Sequence, residues 1–287
     1  MIGRFVASWE LFATTYAVGL ASAALLALVG VWVVARNRIF LGAAVSQAST
    51  LGVAAALWLA HVAAAAHLDW LESPLTLGAL AISASVATAW LAGRGGEARA
   101  EGAEEVTAWV FLAAASLPVL MMAHSAHGLE EIERLMFSTL LSATRTDLVL
   151  FLVAGALAVL ATVRLHHPVL LFAMDPELAE AVGLRLRVWN AAMAIGLGVA
   201  VGLSIRSGGT LYTFGCLVLP ALIAKNLCRE VRPMLAVSPL IAVAAAFTGF
   251  FVANEFDLPP AHATVALLCL GLVLAWGGRA RRGAAAA

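Results

Sequence analysis

The side chains best suited to chemistry in this chain are its seven histidines. His124 and His127 stand three apart in HSAH, a spacing that sets two imidazoles on one face of a helix. Neutral imidazoles are borderline ligands that suit divalent transition metals. His61, His67 and His262 fall near the same side of the chain as that pair once spans are assigned below. Two readings stay open for them: a funnel of ligands at an entrance, or interfacial residues with no ligand duty. His166 and His167 are adjacent and read as interface anchors on the opposite side. A second set lies in one apolar run, where Ala43, Ser46, Gln47 and Thr50 follow each other at i, i+3 and i+4. Such a face can line a polar pathway, or it can let helices pack closely and hydrogen-bond across their contact.

Catalysis has little to stand on. No GxxxxGK[ST] phosphate loop occurs, so the chain cannot bind ATP through one, and there is no HExxH. No Ser/His/Asp arrangement sits at one depth. Cys216, Cys228 and Cys269 form no CxxC pair and read as small buried hydrophobes. The chain reads as a non-enzyme with no cofactor of its own. A net charge of zero argues against nucleic acid as a partner.

The elements that must position these residues follow from composition. The 287 residues are 63% hydrophobic and 12% charged, against about 45–50% and about 25% in soluble domains. The surplus apolar surface has to face lipid. Apolar runs lie at 10–35, 39–66, 75–92, 106–123, 147–163, 188–205, 209–224, 234–253 and 261–276. Backbone groups must be satisfied internally in hydrocarbon, so these are helices, and each is about one bilayer long. The fold class is an all-α polytopic bundle of about nine transmembrane helices, a single transmembrane domain over 1–287. The run after Glu10 is too long for a signal peptide and reads as the first span.

Basic residues give the direction. With the N-terminus outside, the cytoplasmic segments hold Arg36, Arg38, Arg94, Arg99, Arg164, Arg185, Arg187, Lys225, Arg229, Arg232, Arg279, Arg281 and Arg282. That is thirteen of seventeen, and it places the C-terminus in the cytoplasm of a multi-pass membrane protein. No Asp, Glu, Lys or Arg falls inside a span; Glu10 and Asp147 stand at boundaries. A coupled proton needs a titratable site there, so an ion-coupled carrier is disfavoured.

The connections carry further expectations. Residues 93–105 read as a flexible polar linker. LEEIERLMFSTLL (129–141) reads as an amphipathic helix at the outer interface. Asp175 and Pro176 start a cytoplasmic helix that Gly183 ends. In the sixth span Ala192, Gly196 and Ala200, with Gly198 and Gly202 alongside, form a small-residue packing stripe. Residues 277–287 read as a disordered tail.

Three stretches together resemble the permease subunit of metal-ion ABC transporters, the zinc/manganese/iron uptake family (ABC-3 type). RIFLGAAVSQASTLGVA (38–54) is similar to that family's approximate R-x-x-F-x-G-D-x-L-x-H-A-S-x-x-G-V-A. MDPELAEAVG (174–183) is similar to its D-x-x-x-A-x-x-x-G. Gly209 to Leu211, LVLPALIA (217–224) and Asp257 to Pro259 are similar to its G-x-L-L, L-L-x-x-P-A-x-x-A and D-x-P-x-G. Order and spacing hold from about 36 to 276.

The resemblance implies an importer subunit for a divalent metal ion, zinc or manganese foremost, acting as a homodimer. Its implied partners are two cytoplasmic P-loop ATPase subunits and an extracytoplasmic metal-binding protein. Residues 225–233, with Lys225, Asn226, Arg229, Arg232 and Pro233, then correspond to the segment that docks on the ATPase and turns its motion into helix tilt. Ala43, Ser46, Gln47 and Thr50 fall on the translocation path. There the family carries Asp and His one turn apart where this chain has Ala43 and Gln47, and its Gly-Asp is replaced by Ser138 and Thr139. His124, His127 and His262 are the candidate compensating metal ligands. A permease of the same fold with a non-metal or altered substrate is the alternative.

Overall fold

The computed structural model describes residues 2–62, 73–95, 100–123, 130 and 143–284. Ten helices make up the described secondary structure: α1 (Ile2–Ala35), α2 (Ile39–Val62), α3 (Pro74–Gly95), α4 (Ala100–Met122), α5 (Arg145–Arg164), α6 (His166–Met174), α7 (Pro176–Ala181), α8 (Leu186–Leu227), α9 (Val231–Phe256) and α10 (Pro260–Ala284). Eight of the described helices are long and apolar enough to cross a membrane.

One of these eight is two. α8 has 42 residues, about 63 Å at 1.5 Å per residue and roughly twice the hydrocarbon thickness. Its ladder breaks at Gly209, where φ is 72° and ψ is 174°. Only glycine enters that region at low cost, because any Cβ there meets the backbone. The break leaves arms of about 23 and about 18 residues, each near one bilayer. Counted so, the membrane-length helices match the nine apolar runs.

Helix ends follow local chemistry. α5 opens with a capping box, in which Thr144 Oγ1 accepts from Asp147 N at 3.2 Å and Thr144 N donates to Asp147 Oδ2 at 2.9 Å. This holds Asp147, although buried, at the mouth of the helix rather than inside it. α9 ends on Asp257 in the left-handed region. α3 and α4 reach further into the polar linker than its composition suggests, leaving 96–99 outside the described residues. α10 corrects the expected tail, since 277–284 continue the helix. Hydropathy ends a crossing but not a hydrogen-bond ladder, and the Ala and Arg residues there are good helix formers. The amphipathic segment 129–141 lies outside the described residues apart from Glu130.

The chain forms two compact units: 1–37 with 139–174 and 211–287, and 38–138 with 175–210. Three passages between units coincide with interrupted helix: Asn37 at φ 54°, Asp175 capping α7, and the step beside Gly209.

In the first unit α1 is the most enclosed span. It runs antiparallel to α9: Ser238 Oγ donates to Ala27 O at 3.0 Å, and Tyr16 stacks on Phe250 at 5.5 Å. The second arm of α8 closes on it, with Tyr212 Oη donating to Gly19 O at 2.8 Å and Gly30 lying against the Leu217 carbonyl. α9 and α10 approach at Gly249, where a Cβ would stand 2.8 Å from Thr264 Cα.

In the second unit α2 packs against both α3 and α4, which also touch each other. Ser49 Oγ donates to Ala81 O at 3.3 Å, and Ser85 Oγ donates to Val45 O at 3.4 Å. Ala48 packs with Val110 and Ala114 of α4, and Phe40 meets Phe111 at 5.1 Å. The first arm of α8 packs on α3 through Gly198 and Gly202. A Cβ there would stand 2.6 Å from Val86 N and 2.6 Å from Ile82 Cα. The expected stripe is real but its register differs: Ala192 and Gly196 face outward, and no heavy atom lies within 4 Å of a Cβ on Gly196.

Candidate functional site

The polar face of α2 divides by side. Val45, Ser49 and Gly52 face α3, so Ala43, Gln47 and Thr50 fall on the opposite side of the helix. Ser46 and Thr50 are buried, and Ala43 and Gln47 half-buried. Ser46 Oγ donates to Gly42 O at 2.9 Å and Thr50 Oγ1 to Ser46 O at 3.4 Å. These hydroxyl protons are spent on the helix's own carbonyls, which leaves each oxygen as an acceptor only. Gln47 alone keeps amide donors and an acceptor that no described residue engages. Just before α2, burial lowers the pKa of the Arg38 guanidinium by desolvation.

The second candidate region forms one end of the first unit. Lys225 Nζ donates to Asn37 Oδ1 at 3.2 Å, Asn226 Nδ2 to Leu222 O at 2.8 Å, and Arg279 Nη1 to Asn226 Oδ1 at 3.3 Å. The ends of α1, α8 and α10 are thus tied by neutral amides set between cations. Arg36 lies over the Phe172 ring at 4.3 Å, which brings α6 to the same end. Arg229, Arg232 and Pro233 are exposed. Residues 225–233 are not one loop: only 228–230 lie outside helices, because α8 runs to Leu227 and α9 starts at Val231.

Sequence reasoning gave no docking role to a surface around α7. Asp175 Oδ1 accepts from Leu178 N at 3.0 Å to start that helix. Gly183, at φ 92°, ends it, with Gly183 N and Leu184 N donating to Glu180 O and Ala179 O, each at 2.9 Å. Leu178 on this short helix and Val182 at its C-cap are 50% and 68% exposed. The D-P-E-L-A pattern signalled the cap, and the apolar residues between were readable as a surface.

The histidines do not assemble among the described residues. His124 and His127 lie outside those described, and His262 is half-buried in the first turn of α10. No group of three His, Cys, Asp or Glu able to hold a metal ion occurs among the described residues.

With the helices and these surfaces in place, known proteins give the context. The model of the ABC 3 transport family matches residues 8–277. The chain belongs to the ABC 3 transport family. This family member is 22% identical to the chelated iron transport system membrane protein YfeD of Yersinia pestis, over 87% of this chain and 79% of that one. It is 23% identical to the manganese import system permease protein ScaB of Streptococcus gordonii, over 80% and 77% of the two chains. It is 25% identical to the manganese transport system membrane protein MntB of Synechocystis, but there the match spans only 49% of the relative. In fold, this ABC 3 permease superposes on PsaBC of Streptococcus pneumoniae, solved in complex with Fab. The TM-score is 0.78 at 17% identity, covering 96% of this chain and 95% of that one. It is therefore a multi-span transport permease of the bacterial inner membrane.

Proposed function

We propose that this permease is the membrane subunit of an ATP-driven importer of a divalent metal ion, manganese or zinc. It works as a homodimer with two cytoplasmic P-loop ATPase subunits and an extracytoplasmic metal-binding protein. The chain itself hydrolyses nothing. The family match over 8–277 carries this reading, together with the manganese and chelated-iron transport named for its relatives. The orientation is N-terminus outside. Its support is the gathering of Arg36, Lys225 and Arg279 at one end of the first unit, as the cytoplasmic excess of basic residues requires.

Two surfaces meet the ATPase in this reading. The 225–233 segment offers exposed cations on a tight turn stiffened by the Asn37 and Asn226 hydrogen bonds. α7 and its C-cap offer Leu178 and Val182 on a helix capped at both ends, and buried apolar contact carries more binding energy than solvated charge. Within the pathway Gln47 is the residue left to touch a passing ligand, with the Ser46 and Thr50 oxygens as acceptors. ATP-dependent manganese uptake into proteoliposomes containing the full complex tests the reading; uptake that proceeds without the ATPase refutes it.

Ala43 and Gln47 favour a second reading, in which the cargo is a chelated ion or another solute that needs no charged ligand from α2. Under the first reading the double substitution Ala43→Asp with Gln47→His raises transport of the free ion by about tenfold or more, through two ionic ligands. Under the second it leaves free-ion transport at background.

A further inference from the structure

Only residues 36–38 join α1 to α2. Arg36 N donates to Trp32 O and Asn37 N to Val34 O, each at 3.1 Å, which closes α1. Leu41 N donates to Arg38 O at 3.1 Å, which opens α2. Between the two ladders the chain turns at Asn37, where φ is 54°. Asparagine enters that left-handed region more readily than most side chains. α2 starts two residues later, so a rotation at Asn37 passes directly into the helix that carries Gln47, about 12 Å further along.

Two contacts hold this junction, one on each of two consecutive residues. Arg36 lies over the Phe172 ring at 4.3 Å. Phe172 is fully buried, and its helix α6 ends at Met174, immediately before the cap of α7. Asn37 Oδ1 accepts from Lys225 Nζ at 3.2 Å, and both of these residues are exposed. Asn226, next to Lys225, is held by Leu222 O and by Arg279, so the ends of α8 and α10 move as one body with Lys225. The chain around α7 and the 225–233 segment therefore each reach the junction through one contact. The buried ring is the fixed point, and the exposed amide is the one a docked partner can shift.

On the importer reading above, in which both surfaces meet the ATPase, we propose that Asn37 is the positioning residue that turns movement of the docking segment into movement of α2. Lys225 displaces the Asn37 side chain while Arg36 stays anchored on Phe172. α1 is the most enclosed span and cannot follow. The displacement is then absorbed by the backbone dihedrals of Asn37, as at hinges placed at the ends of packed elements. Asn37 touches no cargo and acts only through α2.

The full complex in proteoliposomes, with ATP hydrolysis and manganese uptake measured on the same vesicles, gives the ions moved per ATP. Asn37→Gly leaves the left-handed backbone unstrained and removes only the amide. It is expected to assemble and hydrolyse ATP as wild type does, while ions per ATP fall by about fivefold or more. Asn37→Asp tolerates the same backbone and still accepts from Lys225, so it is expected to keep the wild-type ratio. An unchanged ratio in Asn37→Gly overturns the proposal and leaves the importer reading standing. Wild-type uptake that ignores the ATPase overturns both. The proposal also fails if Asn37→Gly loses assembly or hydrolysis in proportion to uptake, or if Asn37→Asp loses the ratio as Asn37→Gly does, because the residue is then structural only.

Discussion

Alanine at Gly209 is expected to destabilise the protein, and alanine at Gly196 in the same helix to stabilise it. At Gly209 the backbone has φ 72° and ψ 174°, where a non-glycine residue is strained by about 1–3 kcal/mol. Straightening α8 does not relieve this strain. A continuous helix of 42 residues would overrun the hydrocarbon by about 33 Å. It would also pull the buried Tyr212 away from its hydrogen bond to Gly19. The strain therefore stays in the folded state, shifting the folding equilibrium by about five- to 150-fold. At roughly 2–4 °C per kcal/mol for a chain of this size, Gly209→Ala lowers Tm by about 2–12 °C. Gly196 is helical with no heavy atom within 4 Å of a Cβ, so alanine there adds about 0.4–1 kcal/mol by restricting the unfolded chain. Thermal unfolding in mild detergent, followed by tryptophan fluorescence, reads both. If Gly209→Ala is as stable as Gly196→Ala, the break does not lie at Gly209 and the nine-segment architecture is wrong.

Two further substitutions test the packing. Gly198→Leu drives a side chain into the backbone of α3 at Val86 and lowers Tm, whereas Gly196→Leu leaves it near wild type; the pair distinguishes the two registers of the small-residue stripe. Thr144→Ala removes one half of the α5 capping box and is expected to cost about 0.5–2 kcal/mol in denaturant unfolding, with Asp147→Asn costing less because its amide oxygen can still accept from Thr144.

The sequence made the crossings legible because hydrocarbon imposes a nearly one-dimensional rule on the chain. Caps were legible too: Asp175, Pro176 and Gly183 have fixed stereochemical uses, and each stands where expected. The face of a helix was harder to read. Small residues recur in the sixth span at both Ala192/Gly196 and Gly198/Gly202, and only the approach of α3 decides which set packs. Likewise Ser46 and Thr50 bond to their own helix, a choice that composition does not record. The 225–233 segment looked like a loop because it is charged, yet charge does not unwind a helix, and only 228–230 leave it.

The pairing of α1 with late parts of the chain bears on biosynthesis. Its hydrogen bonds from Tyr212 and Ser238 join residues 193 and 211 positions apart. At about 5–20 residues per second, translation takes roughly 10–40 s to supply those partners after Gly19 and Ala27 are made. Through that interval α1 has entered the membrane with Thr15 and Ser22 on the surface it will later bury. Ser22 covers itself by donating to Gly19 O at 2.9 Å, so the nascent helix can wait in lipid with that hydroxyl already satisfied.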